Sequence, residues 1–93
     1  MNEPKFASGT LVKYKKDKQW RYNNVNDSYY NTEVNMTMYS LCETLPMPLY
    51  REDNLVAVSK EEEQWLRQLV REDKLLFSDA GYMYTKDGIE YGR

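Results

Sequence analysis

The sequence predicts an α+β fold: a small twisted antiparallel sheet or partly open barrel, one helix, and a C-terminal hairpin. Three patterns carry that expectation. Short runs within residues 10–58 alternate apolar and polar side chains, the period of a half-buried strand. Residues 59–73 instead combine an acidic start with apolar residues at helical spacing. Residues 75–93 break into short apolar runs separated by Gly-containing turns. A length of 93 residues suits one domain, with a β-rich, barrel-like part at about 5–58, a helix at 59–74 and a hairpin tail at 75–93.

Taken in order, residues 10–14 (TLVKY) follow Ser8-Gly9 and favour a strand, and residues 19–25 alternate Trp20, Tyr22 and Asn24 against Arg21 and Asn23. These two read as strands joined across residues 15–18. Residues 23–31 (NNVNDSYYN) are polar enough to predict a loop that carries Tyr29 and Tyr30. Residues 33–41 form the longest alternating run, with Val34, Met36 and Met38 on one side and Asn35, Thr37, Tyr39 and Leu41 on the other. Pro46 and Pro48 place a loop or sheet edge next, before a short β-branched strand at 54–58. Ser59 with Glu62 three residues on spells a capping box, and Glu61, Glu62 and Glu63 set carboxylates where the helix dipole favours them. Trp65, Leu66, Leu69 and Val70 then form the apolar stripe, leaving Glu62, Glu63, Arg67 and Arg71 to water. In the tail, Asp87-Gly88 is the strongest hairpin signal, with short strands on either side.

Composition removes several chemistries. There is no histidine, so imidazole bases and Ser-His or Cys-His pairs are excluded. Cys42 is the single cysteine, which rules out an internal disulfide, predicts a small buried hydrophobe, and favours a reducing, cytoplasmic setting. Gly9, Gly81, Gly88 and Gly92 are too scattered to cradle a phosphate. No apolar run is long enough for a membrane span, and the first residues do not make a secretion signal. No cofactor is called for. Mean hydropathy is −0.88 even though 41% of residues are hydrophobic. Tyr is the reason: nine of the aromatics are tyrosines, whose rings pack while their hydroxyls count as polar.

Charge divides along the chain. Residues 1–30 sum to +3 and residues 31–93 to −5, which makes one face basic and another acidic. The basic end carries Lys13, Lys15, Lys16 and Lys18 interleaved with Trp20, Arg21 and Tyr22, a pattern suited to phosphates and stacked bases. The plainer reading is a hairpin whose lysines guard an edge and whose Trp20 and Tyr22 turn inward. The carboxylates Glu52, Asp53, Glu61, Glu62 and Glu63 do not make a metal site, because consecutive helix positions diverge by about 100°. They suit a basic partner surface instead. Tyrosine is enriched at interfaces, and Tyr29, Tyr30 and Tyr84 are the exposed candidates.

Phe6-x-x-Gly9-x-x-Val12, leading through a meander to Leu49-Tyr50-Arg51-Glu52-Asp53-Asn54-Leu55-Val56-Ala57-Val58, resembles the first and last strands of Src-homology-3-like barrels of the KOW type. The resemblance covers residues 5–58 and implies a small β-barrel. In size and composition the chain is also similar in kind to accessory proteins of phages and mobile elements, which bind and block host proteins.

The functional expectation is a non-enzymatic interaction protein, an inhibitor or adaptor, whose macromolecular partner is a protein met by Tyr29, Tyr30, Tyr84, Glu61 and Glu62. The alternative is a nucleic-acid-binding module using Lys13, Lys15, Lys16, Lys18, Trp20, Arg21 and Tyr22. A homodimer through sheet edges or the tail is a third reading.

Overall fold

The first hairpin organises the molecule. In the computed structural model, which describes residues 3–44 and 48–92, strand β1 (Leu11–Lys16) turns directly into β2 (Gln19–Asn31). Asp17 and Lys18 both have positive φ, 53° and 64°, the pattern of a two-residue turn whose twist matches that of the strands it joins. The turn is therefore shorter than expected, and Lys15 and Lys16 belong to β1. Strands β3 (Met36–Leu41), β4 (Tyr50–Arg51) and β5 (Val56–Ala57) complete an antiparallel sheet in the order β4-β3-β2-β1-β5. The sheet curls into a half-barrel with one helix against it, an α+β fold of the small-barrel kind that the Phe6-Gly9-Val12 pattern implies.

Both faces of the hairpin are buried, each under a different core. Pairing of Lys13 with Tyr22 and of Lys15 with Trp20 puts these side chains on one face, and leaves Val12, Tyr14 and Val25 on the other. The inner face closes on Phe6, Val12, Tyr14, Val25, Tyr39, Leu41 and Leu55, with the Phe6 and Tyr39 rings edge-on at 5.4 Å. The outer face receives helix α1 (Lys60–Arg71): Tyr22, Leu66, Leu69 and Leu75 form a second core, flanked by Leu11, Trp20, Val58, Trp65 and Met83. Strands β6 (Leu75–Phe77) and β7 (Met83–Thr85) make the C-terminal hairpin, and β7 joins the sheet by pairing with β2.

Several expectations need correction. Residues 23–31 are strand, not loop: past a bulge between Val25 and Asp27, β2 pairs with β3 from Asp27 to Asn31. Asparagine side chains support this polar ribbon, Asn26 Nδ2 donating to Ser40 Oγ at 3.4 Å, and the backbone ladder overrides the loop-like composition. Strand β3 starts at Met36 because Asn31 Oδ1 accepts from the amides of Glu33 and Val34, holding 32–35 as a turn that ends at Asn35 with φ 53°. The expected strand at 54–58 is interrupted by a 3-10 turn (Glu52–Asn54) and shrinks to Val56–Ala57. The loop assigned to Pro46 lies outside the described residues, whereas Pro48 is exposed just before β4.

The helix starts where its cap predicts, with Ser59 Oγ accepting from the Glu62 amide at 3.1 Å. The other half of the capping box is missing, since the Glu62 carboxylate turns into the structure and is buried instead of facing water. Val70, expected in the core, is 48% exposed, because the sheet meets the helix along Leu66 and Leu69. Cys42 is exposed, contrary to its reading as a buried hydrophobe, because the chain leaves the core after Leu41. The C-terminal hairpin closes at 78–82 and not at Asp87-Gly88. There Ser78 Oγ accepts from the amides of Gly81 and Tyr82 at 3.2 and 3.1 Å, while Thr85 Oγ1 donates to Ile89 O at 2.6 Å and turns the last residues away from the sheet.

Candidate interaction surfaces

Beyond the bulge, β2 continues against β3 as a ribbon whose far end, past Tyr39 and the short β4, extends beyond both cores. No side chain of residues 26–36 is buried. The register sets Tyr29 opposite Met38 and Asn31 opposite Met36 on one face, with Met38 in turn opposite Arg51 of β4. Tyr29, Val34 and Leu49 are about half exposed, at 48%, 49% and 50%. Tyr30 is pinned over the turn by a hydrogen bond from its hydroxyl to Asn35 Oδ1. A depression of about 340 Å³ lies between Tyr29, Tyr30, Met38 and Leu49, rimmed by Glu33. Of this group, sequence reasoning found the tyrosines and missed Met36, Met38, Val34 and Leu49. The sequence shows Val34, Met36 and Met38 alternating on one side of a strand, but with residues 23–31 read as a loop nothing placed them beside Tyr29.

The other expected partner-binding residues lie elsewhere. Tyr84 is half-buried on β7 opposite Arg21, with its ring 5.9 Å from that of Tyr82. Eight positions of β2 separate that row from Tyr29, roughly 26 Å of extended strand. Glu61 is exposed in the first turn of the helix, and Glu63 pairs with Arg67 at 3.1 Å. Glu62 is committed internally. Its two carboxylate oxygens lie 2.9 and 3.0 Å from Lys13 Nζ, and the Tyr22 hydroxyl donates to Oε2 at 2.7 Å. Burial, then the hydrogen bond to Glu62, pushes the Tyr22 phenol well above its ordinary pKa.

The basic hairpin is similarly spent. Lys13 is tied to Glu62 and lies 4.8 Å above the Trp20 ring, Tyr22 is buried, and the Arg21 guanidinium stacks on Tyr82 at 4.3 Å. The Arg21 Nε is buried without a hydrogen-bond partner among the described residues. Lys15, Lys16 and Lys18 remain exposed around the turn, with Lys15 at 3.9 Å from Glu90. Of the seven residues read as a nucleic-acid surface, three lysines stay exposed around one turn, and of these Lys15 is paired with Glu90 and lies over the Trp20 ring. On the inner side, Tyr14 and Tyr50 both donate to Glu43 Oε1, at 3.1 and 2.7 Å. Burial raises the pKa of both phenols.

Among the described residues no group of three metal-capable side chains converges, and no helix is long and apolar enough to cross a membrane. No protein-family model, curated protein or solved structure matches this chain.

Proposed function

We propose that this chain is a non-enzymatic interaction protein, an inhibitor or adaptor, that binds a protein partner through the β2–β3 ribbon. One observation carries the reading: Tyr29, Met36 and Met38 on one face of the β2–β3 ribbon, with Val34 at its turn and Leu49 just before β4, leave apolar surface outside both cores, while Tyr39 on the other face belongs to the inner core. Aromatic residues and methionine are the side chains that protein interfaces enrich, and a strand ladder holds them at low entropic cost. The Src-homology-3-like resemblance of residues 5–58 and the phage-accessory analogy agree with such a role, blocking or recruiting a host protein in the cytoplasm.

The test is capture from native lysate with and without nuclease, followed by affinity measurement on the recovered partner. A stoichiometric protein should survive nuclease, and Tyr29→Ala with Leu49→Ser should weaken its binding by about thirtyfold or more. Recovery of nucleic acid, with all protein lost after nuclease, would move the function to Lys15, Lys16 and Lys18. Unchanged affinity in the double variant would remove the ribbon from the interface.

A further inference from the structure

Arg21 is a cation without a counter-charge. Among the described residues only two cationic side chains are half-buried, Lys13 and Arg21. Lys13 has the Glu62 carboxylate at 2.9 Å. No carboxylate of the described residues pairs with Arg21, and its buried Nε meets no acceptor. Holding a charged donor away from water without a partner is costly, so an unmet guanidinium in the wall of a cavity points to an anion supplied from outside.

Register builds the surroundings. Arg21 stands opposite Tyr14 across β1–β2 and opposite Tyr84 across β2–β7, which puts the three side chains in a row on the inner face of the sheet, with Lys16 on that same face two residues beyond Tyr14. The Tyr82 ring stacks on the guanidinium at 4.3 Å and fixes its plane. Arg21, Lys16, Tyr14, Tyr50, Tyr82 and Glu43 line an open cavity of about 270 Å³. Glu43 is turned to other work, since its Oε1 accepts from the Tyr14 and Tyr50 hydroxyls at 3.1 and 2.7 Å.

We infer that this cavity is a binding site for a small aromatic carboxylate, with Arg21 and Lys16 holding the carboxylate and the ring lying among Tyr14, Tyr50 and Tyr82. Three features choose that ligand class. A carboxylate matches the guanidinium fork with two parallel N–H···O bonds and supplies the missing counter-charge. The charges of Lys16, Arg21 and Glu43 sum to +1, which suits a monoanion and disfavours a phosphate dianion beside Glu43. The remaining walls are flat, with the Tyr14 and Tyr50 rings 4.8 Å apart, and the volume suits one ring in place of a nucleotide. The site lies at the opposite end of β2 from Tyr29, so it is separate from the ribbon interface.

Titration of the isotope-labelled protein with sodium benzoate, with sodium chloride holding ionic strength constant, tests this by NMR. The expected result is a saturable shift of the Arg21 Nε–H and Tyr82 ring signals, half complete between about 0.1 mM and about 10 mM benzoate. Acetate, which lacks the ring, should bind about threefold or more weakly, and so should phosphate. Arg21→Lys keeps the charge but loses the fork, and should weaken benzoate by about tenfold, read at Tyr82. Glu43→Gln keeps an acceptor for the two tyrosines while removing a like charge. It should tighten benzoate several-fold, which a merely structural role for Glu43 would not do. Tyr29→Ala should leave the titration unchanged, so failure here is distinct from failure of the ribbon interface. Absence of a saturable shift by about 50 mM benzoate overturns the inference. So does a shift that chloride alone reproduces, acetate or phosphate binding as tightly as benzoate, or affinity indifferent to both Arg21→Lys and Glu43→Gln.

Discussion

Replacing Glu62 by Leu tests whether helix and sheet are joined by a buried polar node. The carboxylate accepts three short hydrogen bonds, two from Lys13 and one from Tyr22, and its side chain is only 5% exposed against 18% for Lys13. Removing one member of a buried pair leaves the other charge uncompensated, at a cost of about 3–5 kcal/mol. Lys13 keeps the Trp20 face beneath it and some access to water, so the lower end applies, about 3 kcal/mol. For a domain of this size that is a fall in Tm of roughly 12–24 °C. The triple variant Lys13→Met, Tyr22→Phe, Glu62→Leu removes every member at nearly constant volume and should return to within about 1 kcal/mol of the parent. Urea unfolding followed by fluorescence measures both, since Trp20 and Trp65 flank this core. A single variant costing under about 0.5 kcal/mol, or a triple as unstable as the single, would refute the reasoning.

Two further outcomes follow from the same packing. Tyr14, Tyr22, Tyr39 and Tyr50 are all held above their ordinary pKa, in each case first by burial. The folded state thus keeps protons that the unfolded state loses, so this stabilisation is complete below about pH 10 and declines as pH rises above it. Each such tyrosine costs up to about 1.4 kcal/mol by pH 11, so phenolate absorbance should rise together with cooperative loss of sheet by circular dichroism; phenolate from all four forming in an intact sheet would refute it. Gly81→Ala places a Cβ 2.5 Å from Cys42 O at φ +112° and should cost about 3 kcal/mol by thermal melting. Gly9→Ala, at φ +90° with nothing within 4 Å, should cost only about 1 kcal/mol, and equal losses would contradict the close approach at Gly81.

What was legible in the sequence was local. The alternation of Trp20 and Tyr22 against Arg21 and Asn23, the Ser59 cap and the Leu66–Leu69 spacing depend on neighbours a few residues apart, and each produced the expected element. The fate of Glu62 was not legible, because its partners Lys13 and Tyr22 lie 49 and 40 residues away and only the fold brings them together. Composition misled at residues 23–31, where asparagine side chains support a ladder that they usually interrupt. For the candidate site, Tyr29 and Tyr30 were chosen correctly as exposed rings, but Met38 and Leu49 became visible only through the cross-strand register. Asp87-Gly88 carried the better turn chemistry, yet Ser78 and the close approach of Gly81 to Cys42 decided where the hairpin closes.

The bulge between Val25 and Asp27 divides the labour of the longest strand. Residues on its near side answer to two cores at once, so nearly every substitution there is charged against stability. Those on its far side answer to neither. Mutation can accumulate in residues 26–36 as it does in an antibody loop, altering what is recognised while the body continues to fold. A lineage pressed to follow a changing target would have its variable segment there, and the same body could be fitted with a transplanted ribbon.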